Sequence, residues 1–152
     1  MSENRDLRVV PPRRWSVELD GVAWLPRLID KARAASAGTL GGYLYGQSPT
    51  DSGLLKTLGI GYRSFAELVA QAPDDAGVLA ALTARDPEAI ARAVVWTADL
   101  RRNHKAFLWA MDADDGYNPA VAWAKRPVNL LTNGFTALVK RIIPGPAIPP
   151  KP

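Results

Sequence analysis

Residues 86–116 constrain the fold more than any other stretch, because they spell out a helix with both ends marked. Asp86, Pro87 and Glu88 form a start signal. A carboxylate can cap the first turn, a proline there has no intrahelical N–H bond to lose, and an acid suits the positive end of the helix dipole. Ala89, Ala93, Trp96, Leu100 and Phe107 then fall on one stripe, and the run Asp112, Asp114, Asp115 and Gly116 closes it. This spacing predicts a single helix running to about Met111.

The chain upstream reads the same way. Leu25, Leu28, Ile29, Ala32 and Ala35 have the spacing of one helix face, with Pro26 in the first turn and Gly38, Gly41 and Gly42 beyond the end. A second helix is expected from Asp51 to Leu58, stopped by Gly59. Ser64 and Glu67 have capping-box spacing and open a third, and Asp74 and Asp75 open a fourth over Val78, Leu79 and Leu82. Asp20 and Gly21 mark a turn, and no stretch alternates convincingly as a β-strand. The expected fold class is all-α, a compact bundle of five or six short helices over residues 20–117. Extended proline-containing arms flank it: an N-terminal one over 1–19, with Pro11 and Pro12, and a basic C-terminal one over 118–152.

At 152 residues the chain has single-domain length, and 47% apolar with 22% charged residues is the balance of a globular protein. It has no cysteine, which excludes disulfides, thiolate catalysis and cysteine metal sites. The polar start lacks a signal peptide's apolar run, and no apolar stretch approaches the roughly 20 residues that span a bilayer. The expected location is cytoplasmic, or peripheral to the inner membrane.

All 15 acids lie between Glu3 and Asp115, so the formal charge of +4 comes from the tail, through Lys125, Arg126, Lys140, Arg141 and Lys151. Leu131, Phe135, Leu138, Val139 and Ile142 recur there at helical spacing, beside Lys140 and Arg141, and a proline-rich end follows over 144–152. An acid-free basic segment points to an acidic or anionic partner.

Leu25-Pro26-Arg27-Leu28-Ile29-Asp30-Lys31-Ala32-Arg33-Ala34, with Gly38, Gly41, Tyr43, Tyr45 and then Leu58-Gly59-Ile60, resembles a small bacterial family catalogued as domain of unknown function 5069. The similarity continues through Phe65 to Val69 and covers roughly residues 20–100. The resemblance implies a compact helical domain and no assigned activity, and it makes the basic tail an addition to that domain. The chain departs from the family pattern at Gln47, where members often carry cysteine.

Three sets of residues compete for a function. Asp30, Lys31, Arg33, Tyr43 and Tyr45 are the polar members of the family block. Asp30 and Arg33 are spaced to pair, and the tyrosines could close over them as a small polar pocket; a buried ion pair explains the same residues without a ligand. Gly59 to Gly61 is similar to a degenerate helix-hairpin-helix turn that offers N–H groups to a phosphate, but it lacks the usual preceding proline and has few basic neighbours. Nucleic acid is therefore not the expected partner. Asp112 to Gly116 fails the spacing of a calcium loop, and His104 is the only histidine, so no metal or other cofactor is expected.

The remaining set is the tail. Phe135, Leu138, Val139 and Ile142 would be apolar anchors, and Lys125, Arg126, Lys140 and Arg141 would meet acidic or phospholipid surface. The expected function is a non-enzymatic accessory or adaptor subunit that docks on a larger, membrane-bound assembly through its arms. Its partner would be a protein assembly, with an anionic membrane surface as the other partner this pattern suits.

Overall fold

The structure, a computed structural model, describes residues 5–142, without the side chains of 121 and 122. The proline-rich end over 144–152 lies outside the described residues, as do the first few residues of the N-terminal arm. Seven α-helices and one small hairpin make up the described chain, so the all-α expectation holds with a minor addition. The hairpin pairs β1 (Glu18–Leu19) with β2 (Val22–Ala23). Asp20 and Gly21 between them both have positive φ, the backbone that a two-residue hairpin turn requires. Strands this short leave no alternation to read, which is why the sequence showed the turn and not the pairing.

The helix α1 (Leu25–Ser36) runs through the middle of the domain, and every residue from Leu25 to Ala34 is buried. Its apolar face carries Leu25, Leu28, Ile29 and Ala32, as the spacing predicts. The opposite faces are buried too, which brings Arg27, Asp30, Lys31 and Arg33 inside. Against it packs α3 (Tyr62–Gln71), and α2 (Pro49–Thr57), α4 (Asp75–Arg85) and α5 (Ala89–Asn103) complete the domain by packing on one another, with α2 and α4 also on α3 and α5 also on β2. Trp24, Leu54, Leu58, Phe65, Val69, Val78, Leu82 and Ala93 complete one continuous core.

Local signals set most of the helix ends. Ser48 caps α2 by accepting from Asp51 N at 3.2 Å, so that helix starts two residues before the expected Asp51. Gly59, at φ +67°, ends it with paired bonds from Gly59 N to Lys56 O and from Ile60 N to Leu55 O, the Schellman arrangement. The expected capping box of Ser64 and Glu67 does not form. The turn released by Gly59 lets α3 begin at Tyr62, so Ser64 is already inside the helix. Asp74 caps α4 as expected, its Oδ1 accepting from Gly77 N at 2.8 Å.

The single helix expected to run on to Met111 is two. It breaks at His104, whose φ of −121° and ψ of 30° leave the helical range, and resumes as α6 (Lys105–Asp115). Asn103 and His104 are weak helix formers, and the bend allows both Leu100 and Leu108 to be buried. It also carries Asp112 and Asp115 towards α1. Gly116 ends α6 at φ +76°, a 3-10 segment Pro119–Ala124 follows, and α7 (Lys125–Ile142) closes the described chain. Among the described residues, no helix is long and apolar enough to cross a membrane.

Among the described glycines, Gly46 is the tightest. Gly46 has φ +73°, and a Cβ there would stand 2.7 Å from Tyr62 Cβ. Gly46→Ala should therefore cost roughly 2–3 kcal/mol, from left-handed backbone strain plus overlap with α3. Chemical denaturation of the variant checks this, and a loss below about 0.5 kcal/mol would show that the loop yields freely.

Candidate functional site

A charged helix cannot be buried unless each charge is met, and α1 is met on every side. Asp30, almost wholly enclosed, accepts from Arg13 three times over: from the backbone N at 2.7 Å, from Nη2 at 2.8 Å and from Nε at 3.0 Å. Arg13 also bonds Asp75 of α4, which Arg33 reaches at 2.8 Å. Burial alone would raise the Asp75 carboxyl, but the two guanidiniums outweigh it and hold the group below its ordinary value. Arg27 donates to Asp115 at 2.6 Å, and the Tyr43 hydroxyl donates to the other oxygen of the same carboxylate at 2.9 Å. Arg14 grips Asp112 at 2.9 and 2.5 Å.

Lys31 is buried as well. Its Nζ donates to both oxygens of Asp51, at 2.5 and 2.6 Å, and it lies over the Trp24 ring. Asp51 also accepts from Trp24 Nε1 at 2.8 Å and from Gly46 N at 3.0 Å. Burial pushes the Lys31 ammonium below its ordinary value, and the adjacent carboxylate opposes that push.

The predicted polar pocket is thus taken apart. Asp30 and Arg33 do not pair with each other, because α1 turns them to different neighbours: Asp30 to the N-terminal segment and Arg33 to α4. Tyr45 closes over neither; its hydroxyl donates to Tyr62 O at 2.6 Å. Lys31 and Tyr43 alone of that set line a cavity, of about 740 Å³, between the domain and α7. Trp24, Trp96 and Phe107 supply its aromatic wall, and Asp114 and Thr132 supply polar groups on the side of α6 and α7. A second, more open depression of about 580 Å³ lies along α3 and α4 and gathers no aromatic side chain. Asp112, Asp114 and Asp115 serve three separate partners, and among the described residues no group of carboxylates or histidines could hold a metal ion.

The tail helix has its own geometry. It rests on α6 and the 3-10 segment through a small cluster of Ala113, Ala124 and Val128, and through Thr132, whose hydroxyl donates to Asp114 at 2.7 Å. Val128, Asn129, Thr132, Thr136 and Val139 are the half-buried positions. The large apolar side chains point elsewhere: Leu130, Leu131, Phe135, Leu138 and Ile142 are 51% to 75% exposed, and no residue of α7 is buried. The helix therefore turns Val128, Asn129, Thr132, Thr136 and Val139 to the domain and leaves its large apolar side chains exposed, with Leu131 and Phe135 also lining the cavity. Lys125, Arg126, Lys140 and Arg141 are all exposed, and Trp123 just before the helix is exposed as well.

Residues 9–128 match the sequence profile of the family Domain of unknown function (DUF5069). The chain belongs to the DUF5069 family. The match is wider than the residues that carry the resemblance in the sequence, and it takes in both Arg13 and the acids that close α6. The ion-pair network around α1 is accordingly a feature of the DUF5069 domain as it stands in this chain. The match ends at Val128, so the outward apolar residues of α7 lie beyond it. No curated protein matches the chain.

Sequence reasoning missed Arg13, Arg27, Asp51, Asp75 and Asp115 as members of the network. One signal was present: α1 carries four charged residues in seven positions, Arg27, Asp30, Lys31 and Arg33, and each needs a counter-charge once the helix is central. Which acids answer them depends on the helix packing.

Proposed function

We propose that this DUF5069 chain is a non-enzymatic adaptor that docks on a protein assembly through the outward face of α7. The observation that supports this reading is the inversion of α7: Asn129, Thr132 and Thr136 face the domain while Leu131, Phe135 and Leu138 are exposed. A helix that merely completed the core would bury its apolar side, since that burial is what stabilises a surface helix. The basic residues Lys125, Arg126, Lys140 and Arg141 suit an apolar groove with an acidic rim, a helix-in-groove contact with electrostatic steering. On this reading the protein is cytoplasmic and peripheral to a membrane-bound assembly.

The test compares the full chain, purified from its own cells, with a Lys140→Glu/Arg141→Glu variant and a Phe135→Asp variant. The expected result is a partner recovered in fixed ratio by the wild type, bound less tightly and with weaker salt dependence after charge reversal, and lost with Phe135→Asp. Thermal unfolding should barely move, because the side chain of Phe135 is half exposed. Equal recovery by all three forms would sink the reading. Recruitment to phosphatidylglycerol vesicles, with no protein recovered, would assign the face to lipid instead.

A further inference from the structure

The cavity under α7 shares Leu131 and Phe135 with the exposed apolar side of that helix, but its charged lining is distinct from the basic residues Lys125, Arg126, Lys140 and Arg141. Its two cations are already engaged: Lys31 with Asp51 at 2.5 Å and Arg27 with Asp115 at 2.6 Å. Neither is free to receive an anion, and the buried carboxylates behind them cancel their field. Asp114, on the opposite wall, has no ion-pair contact among the described residues: it accepts from the Thr132 hydroxyl at 2.7 Å and feels Arg27 and Lys125 only at longer range. Asp99 stands exposed among the lining residues, beside His104. Counting Arg27, Lys31 and Lys125 against Asp51, Asp115, Asp114 and Asp99, the site and its immediate surroundings carry one more negative than positive charge. The rest of the wall is aromatic and apolar, and its volume is in the ordinary range for organic ligands.

We infer that this cavity binds an amphipathic organic cation, with an apolar or aromatic body against Trp24, Trp96 and Phe107 and an ammonium head at Asp114. Aromatic faces attract cations, and a partly buried carboxylate gives the head a charge-assisted hydrogen bond. Burial pushes the Asp114 carboxyl up, with Thr132 acting the other way. An ammonium within hydrogen-bond distance opposes that push and favours the ionised acid.

Three probes sharing an indole ring separate the possibilities: tryptamine, the alcohol tryptophol and the acid indole-3-propionate, titrated calorimetrically into the full chain at neutral pH. Tryptamine should bind about tenfold tighter than tryptophol, and the acid weakest of all. Asp114→Asn should erase the preference for the amine and leave tryptophol binding unchanged. Ala110→Trp, which fills the cavity from α6, should abolish binding of all three with the helical content retained. The inference is overturned if the acid binds as tightly as the amine, if none of the probes binds at millimolar concentration, or if Ala110→Trp binds them normally. The wild-type order of the probes decides the matter even where Asp114→Asn fails to fold. Variants of the exposed basic end of α7, such as Lys140→Glu/Arg141→Glu, should not change the order, so failure here and failure of the docking reading are distinguishable.

Discussion

Asp51→Ala is expected to destabilise the fold by about 3–5 kcal/mol, the cost of leaving a buried charge without its partner. Asp51 is wholly enclosed and serves three donors: Lys31 in the middle of α1, Trp24 just before that helix, and Gly46 in the loop before α2. Its removal strands the Lys31 ammonium, which is only 3% exposed and loses its carboxylate partner. Substituting both partners, as Lys31→Met/Asp51→Leu, should be less damaging than the single change, because the charge is then gone. Recovery should be incomplete, since the N–H groups of Trp24 and Gly46 still lack their acceptor. Urea denaturation of the three proteins checks the order. A double variant less stable than Asp51→Ala would mean that the carboxylate's hydrogen bonds, and not the charge on Lys31, dominate.

Arg13→Ala should cost about 3 kcal/mol or more and should change the acid sensitivity of the fold. Arg13 straps the N-terminal segment to α1 and α4 at once, through Asp30, Asp75 and the carbonyl of Pro26. The buried Asp30 would keep the more distant Arg5, at 3.9 Å. The pH effect runs through Asp75, whose folded carboxyl is held below its ordinary 3.8 by Arg13 and Arg33. A depressed carboxyl adds stability above its unfolded value, and that stability is lost as pH falls through the lower folded value. Without Arg13 the depression shrinks, so acid unfolding should begin at higher pH than in the wild type. Stability measured from pH 6 to pH 2 tests this: parallel curves, offset but with the same acid limb, would remove Asp75 from the account.

These expectations bear on what the sequence can show. The motif around Leu25 to Ala34 was visible because helical spacing and the family pattern both mark it, and the structure makes it the central helix. Its four charges looked like a candidate pocket because charged residues near tyrosines are what a pocket needs. They are also what a buried helix needs to join to its neighbours, and spacing within one helix cannot separate the two. The His104 break was hidden for a related reason. Ala89 to Phe107 keep a workable helical stripe, and only the need to bury both Leu100 and Leu108 against the existing core bends the chain there.

By itself, the sequence determined the helical class, the Asp20-Gly21 turn, the helix stops at Gly59 and Gly116, and the amphipathic tail. Each of these rests on local chemistry: φ preference, capping, and apolar residues repeating within a few positions. The tertiary structure alone decided that Arg13 answers Asp30, that Asp51 answers Lys31, and that Lys31 and Tyr43 share a cavity with Trp96 and Asp114. It also decided which way α7 turns its apolar side. Those outcomes depend on contacts between residues far apart in the chain, where packing one helix against another selects the partner and local preference carries no information about it.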